Sequence, residues 1–155
     1  MVNRAHFWQA ARLLAACAVA YVGSKLIALP EPYWALVTAV VVTHPALGDT
    51  LSAGRLRVIG TLIGAFAGLV VIGAAELGFS SFVLFWIALA PLAMLTAVRP
   101  NLRLSCITLV IVVLVPASGG AFARPLERVV EILLGTLASV VVCAAIPTKQ
   151  AAPAN

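Results

Sequence analysis

Apolar residues run along this chain in long unbroken blocks, not in the helical or alternating stripes of a water-soluble fold. Blocks bounded by charge, Pro or Gly fall at 8–29, 33–44, 57–75, 79–98, 104–118 and 128–146. Each predicts a helix that crosses a bilayer, whose hydrocarbon core takes about 20 residues to span. The second and fifth blocks are short, and Pro45 and Pro116 end them. The pattern therefore predicts an all-α membrane protein of six transmembrane helices, one unit over 1–155 with a short polar tail at 147–155.

Composition closes off the soluble alternative. Of 155 residues 63% are apolar and 10% charged, with a mean hydropathy of +1.13, whereas a soluble domain carries charge on about a quarter of its positions. Six spans use about 120 positions, which leaves no room for a soluble catalytic domain. The net charge of +5 comes from Lys and Arg scattered in ones and twos. That distribution suits lipid phosphates and excludes a nucleic-acid surface. With the N-terminus in the cytoplasm, Arg4, Arg12, Arg55, Arg57, Arg99, Arg103 and Lys149 fall inside, against Lys25, Arg124 and Arg128 outside. The excess of basic residues places both termini in the cytoplasm. Leu14-Ala15-Ala16-Cys17 has the form of a lipoprotein cleavage box. Arg12 interrupts the apolar region such a signal needs, so the segment reads as a retained first helix.

Sliding the sequence on itself by 71 residues sets Pro45 on Pro116, Gly48 on Gly119, Arg57 on Arg128 and Gly64 on Gly135. Three spans per copy is an odd number, so the second copy enters the membrane from the opposite face. The prediction is a 3+3 inverted repeat, repeat 1 over about 8–75 and repeat 2 over about 79–146. In each half a short span ends in P-x-x-G, where backbone groups go unpaired unless they face protein or water. Paired breaks of this kind point to a translocation site built around Pro45, Gly48, Pro116 and Gly119; the alternative is that each proline merely ends a helix at the interface.

Several side chains carry candidate chemistry. Arg57 and Arg128 open the third and sixth predicted spans, where the helix dipole disfavours a cation. Their negative partner is Asp49, Glu127 or Glu131, a lipid phosphate, or an anionic solute. Glu131 lies one turn inside the sixth span, as a proton-coupling carboxylate or the static partner of Arg128. His44, beside the first break, titrates near neutral pH and is the second coupling candidate, or a polar edge residue. Trp34 either stacks on an aromatic solute or belongs to the interfacial aromatic belt. Asp49 reads as the N-cap of the third helix. Gly60, Gly64 and Gly68 form a flat strip for close helix packing, and Gly135 with Ser139 keeps that spacing in the sixth span. Cys17, Cys106 and Cys143 show no metal or disulfide spacing, and no catalytic constellation or cofactor motif is present.

The stretch PYWALVTAVVVTHPALGDTLSAGRLRVIGTLIGAFAG, ending at Gly68, resembles the fusaric acid resistance or aromatic acid exporter family, and RPLERVVEILLGTLASVVV looks like the family's sixth helix. The resemblance implies a bacterial inner-membrane protein that exports aromatic carboxylic acids using the proton gradient. Trp34, Pro45, Gly48, Thr50, Arg57, Gly60, Thr61 and Gly64 are the family-like positions, with Arg57 attracting the anion. Plant aluminium-activated malate transporters, which are anion channels, look like distant relatives that use a similar unit as a dimer. Full-length exporters are similar to two such units, each followed by a cytoplasmic domain, so one unit implies a homodimer or higher homo-oligomer. The reading at this level is a transporter of small organic anions; a passive anion channel and a non-transporting membrane scaffold are its rivals.

Overall fold

The computed structural model describes residues 4–115 and 123–146. It contains α1 (Arg4–Leu26), α2 (Tyr33–Val42), α3 (Leu47–Glu76), α4 (Ser81–Val98), a 3-10 turn (Pro100–Leu102), α5 (Arg103–Leu114) and α6 (Ala123–Ala145), with no strand among the described residues. Pro116, Gly119 and the tail at 147–155 lie outside the described residues. The described residues are thus all-helical with six α-helices, and α3, α4 and α6 are each long and apolar enough to cross a membrane. The 10 residues of α2 and the 12 of α5 extend about 15 and 18 Å, well short of a core about 30 Å thick.

Two helix starts differ from the sequence reading by five residues or more, for one reason. α3 begins at Leu47, not at 57, and α6 at Ala123, not at 128. A block of apolar residues marks where lipid begins, but a helix needs only its backbone hydrogen bonds, so each runs on into polar sequence. Arg57 therefore sits well inside α3, and the dipole cost assigned to it does not arise. Asp49 lies exposed in the first turn of α3 and is not its N-cap. At the other end, Gly78 adopts φ +93 and its N–H bonds the Ala75 carbonyl at 3.0 Å, the left-handed stop that glycine supplies after a helix.

The chain forms two compact units. One comprises the residues up to Arg55 together with those from Glu131 on. Its core is small: Ala16 and Ala20 of α1, Ala35 and Ala39 of α2, Ala138 and Val142 of α6. The other, Leu56–Val130, is built on larger side chains, with Val71 of α3, Phe85 and Leu92 of α4 and Leu109 of α5 at its centre.

Lipid tails are as apolar as leucine, so helices in a membrane associate through close van der Waals contact, and small residues permit it. In the second unit Gly60 lies on Leu104 and Ser105, Gly64 on the Ser105 carbonyl and Thr108, and Gly68 on Val112. Contacts advance together along both helices, so α3 and α5 run parallel and α4 carries the chain back between them. In the first unit Gly135 lies on the Ala35 carbonyl and Thr38, while Ser139 Oγ is 3.3 Å from the Ala39 carbonyl and 3.1 Å from Thr43 Oγ1. α6 therefore runs parallel to α2.

A Cβ on Gly64 would come 2.7 Å from that of Thr108, and one on Gly135 would come 2.8 Å from that of Thr38, whereas Gly73 has nothing within 4 Å. Gly64→Ala and Gly135→Ala are each expected to destabilise by about 1–3 kcal/mol through overpacking. Gly73→Ala should be neutral or stabilise by up to about 1 kcal/mol through helix propensity. Thermal unfolding of the detergent-solubilised protein checks the contrast.

Candidate functional site

The break between α2 and α3 follows from Pro45. The residue before a proline is pushed out of the helical region and the proline itself has no N–H, so α2 stops at Val42 and Thr43 turns extended (ψ 108). Several of the polar groups freed there find partners within the first unit. The His44 N–H donates to Thr50 Oγ1 at 3.0 Å, and that hydroxyl lies 3.2 Å from the Ala46 carbonyl and 3.3 Å from the His44 carbonyl. Thr43 Oγ1 donates to Ser139 at 3.1 Å. Arg12, only 1% exposed, donates from Nη1 to the Pro45 carbonyl at 2.7 Å and from Nη2 to the Cys143 carbonyl at 3.2 Å. One guanidinium from α1 thereby ties the break to the end of α6.

A similar device closes α5 in the second unit. Val115 is extended (ψ 125), and Nη1 of Arg124, on the first turn of α6, donates to the Val115 carbonyl and lies 3.5 Å from that of Val112. Both arginines act as carbonyl caps. The sequence gives Arg12 no special role and offers Arg124 lipid phosphates or the chain's own carboxylates. For Arg12 the available signal is position: a charge a turn or more inside an apolar helix has to face protein.

The remaining predicted residues distribute as follows. Pro45 and Gly48 are exposed, and Gly48 has nothing within 4 Å of a Cβ. His44 is half-buried, with Nδ1 donating to the Val42 carbonyl at 2.9 Å, which fixes the proton on Nδ1. Trp34 Nε1 donates to Glu31 Oε2 at 2.9 Å, and its ring is tilted on Tyr33 with centroids 5.5 Å apart. Trp34 and His44 stand at opposite ends of α2, about 15 Å apart along its axis, so one small solute does not touch both. Glu131 is fully buried on α6. Among the described residues no three His, Cys, Asp or Glu side chains gather as a metal site, and the cysteines are free.

Arg57 and Arg128 both belong to the second unit and are buried, at 3% and 5% exposed. Arg57 lies on the face of α3 that carries Thr61, Gly64 and Gly68, all buried. Its carbonyl accepts the Thr61 hydroxyl at 2.9 Å, and its Nε has no hydrogen-bond partner among the described residues. A buried donor of a guanidinium left unsatisfied is costly. Arg57 is thus a deeply buried cation with an unmet donor.

Residues 12–142 match the family model described as fusaric acid resistance protein-like. Over 45 residues the chain is 44% identical to proteins named uncharacterized transporter YdhK from Salmonella typhimurium and from Escherichia coli. That stretch is 29% of this chain and 7% of the relatives' length. No solved structure matches.

Replacing Arg12 by leucine strands the Pro45 and Cys143 carbonyls, each at a cost of about 1–3 kcal/mol. Arg12→Leu is expected to lower the unfolding temperature clearly, with Arg12→Lys between it and the parent, because a lysine reaches one carbonyl but not both at the fork geometry. Thermal scans in one detergent compare the three.

Proposed function

The chain belongs to the fusaric acid resistance protein-like family, and on that premise we propose that it is a transporter unit that moves organic anions, aromatic carboxylates above all, out across the bacterial inner membrane. The observation that carries the reading is Arg57: a guanidinium 3% exposed within a long apolar helix, with an Nε that no described protein group satisfies. A carboxylate supplies the charge and the paired acceptors that a guanidinium fork matches. Arg128, equally buried in the same unit, is the second cation on the anion's route.

The reading sets the anion at the arginines and not at the α2–α3 break, several of whose freed polar groups are already taken by Arg12, Thr50 and Ser139. Pro45 and Gly48 then shape the helix ends around the route without binding the solute. Glu131, buried on α6, is the carboxylate through which proton movement is coupled. His44, half-buried beside the break, is the second candidate.

The inverted repeat belongs to the same proposal. Gly64 of α3 against Thr108 of α5 has its counterpart in Gly135 of α6 against Thr38 of α2. The two glycines are 71 residues apart and the two threonines 70. Matched glycine–threonine contacts between parallel helices support two copies of one three-helix design, with six passes and both termini in the cytoplasm. The reading takes the working form to be a homodimer or larger assembly in the lipid bilayer.

Efflux of radiolabelled benzoate from proteoliposomes tests the reading. Arg57→Gln should lower the rate about tenfold or more, as expected for loss of a charge-assisted contact, with Arg57→Lys retaining part of it. Imposing a proton gradient should accelerate the parent. Equal rates in the parent and Arg57→Gln would remove the site; rates that ignore the gradient would turn the carrier into a passive channel.

A further inference from the structure

A second place in the molecule joins opposite charges without pairing them. In the second unit a cavity of about 230 Å³ opens where α3 ends and α6 begins. Its walls are apolar, from Val71 and Ile72 on α3 and Val112 on α5, and its polar groups are Glu76, Ser81 and Arg124. The space corresponds to roughly eight waters, below the range of drug-sized sites. It suits a solute of roughly eight or nine non-hydrogen atoms.

Both charges stand at the helix end that disfavours them. Glu76 is the last residue of α3, where the backbone already presents partial negative charge, and Arg124 is in the first turn of α6, where it presents partial positive charge. Arg124's hydrogen bonds go to neutral carbonyls of Val112 and Val115, and its buried Nε has no hydrogen-bond partner. Its charge is therefore solvated by dipoles alone. A solute bearing an ammonium at one end and a carboxylate at the other relieves both ends at once: the ammonium at Glu76 and the C-terminus of α3, the carboxylate at Arg124 and the N-terminus of α6. The apolar wall takes whatever hydrocarbon the solute carries.

We propose that this cavity binds a zwitterionic α-amino acid with a small aliphatic side chain, at a site separate from Arg57. A plain organic anion satisfies Arg124 but sets its charge beside Glu76, and an amine does the reverse. The zwitterion alone meets both. The Ser81 hydroxyl, at the start of α4, offers a further polar contact within the same space.

Calorimetric titration of the full chain in lipid nanodiscs tests this with three probes: leucine, N-acetyl-leucine, which lacks the ammonium, and leucinamide, which lacks the carboxylate. Leucine should bind, and each derivative should bind at least about tenfold more weakly, the scale of one hydrogen bond to a charged group. Glu76 is exposed, so Glu76→Gln leaves the fold intact. It should weaken leucine about tenfold while N-acetyl-leucine binds no more weakly than to the parent, because the like charge beside its carboxylate is gone. Absence of leucine binding to the parent, or equal leucine affinity in the parent and Glu76→Gln, overturns the proposal. Because benzoate efflux does not pass through Glu76, its rate in Glu76→Gln should match the parent, which keeps a failure here distinct from a failure at Arg57.

Discussion

A peptide group surrounded by hydrocarbon must find its hydrogen bond within the protein, and the architecture of this chain is arranged around that demand. Long helices meet it by themselves. α2 and α5 do not, because each stops short of spanning the core and leaves carbonyls open at its end. Arg12 and Arg124 close those ends, one from α1 and one from the first turn of α6. Thr50 and Ser139 complete the first closure from neighbouring helices. A guanidinium suits the task because its forked donors reach two carbonyls at once, and the carbonyls in turn solvate a charge that lipid would expel.

That arrangement separates the arginines by role. Those bonded to carbonyls hold the fold, and their removal acts on stability. Arg57 differs in place: it shares an unmet Nε with Arg124, but it is buried about as deeply as Arg12 and lies on the glycine-bearing face of α3. Close glycine contacts hold α3 and α5 firmly together, so a charge on that face is kept in place by packing and not by ion pairing. A rigid cationic position within apolar surroundings discriminates strongly for anions, since the low local dielectric magnifies the attraction.

What could be read from the sequence follows the physics that each signal reports. Apolar blocks gave the six helices and the glycine spacing gave the packing face, because both depend on side-chain chemistry alone. The starts of α3 and α6 were misplaced since Gly48 to Arg55 looks like loop when hydropathy is the only guide. The polar first turns of α3 are nevertheless helical, and they bury Thr50 and Gly54. Arg12 was overlooked for a related reason. Its partners, the carbonyls of Pro45 and Cys143, are backbone groups distant in the chain, and no residue pattern announces a bond to a carbonyl. Arg57 was singled out by its match to Arg128 at 71 residues, but the sequence placed it at a helix start, and only the fold puts it within α3 on a buried face.

The central claim is that the Arg57 guanidinium meets the carboxylate of the transported anion. Solid-state NMR on the protein in lipid, with arginine guanidinium groups labelled in nitrogen-15 and benzoate labelled in carboxyl carbon-13, measures that encounter directly. The account predicts carbon–nitrogen dipolar dephasing at contact range that falls sharply in Arg57→Lys, whose side chain no longer carries the label. Dephasing that persists unchanged in Arg57→Lys, or none at all under conditions where benzoate is transported, would contradict it.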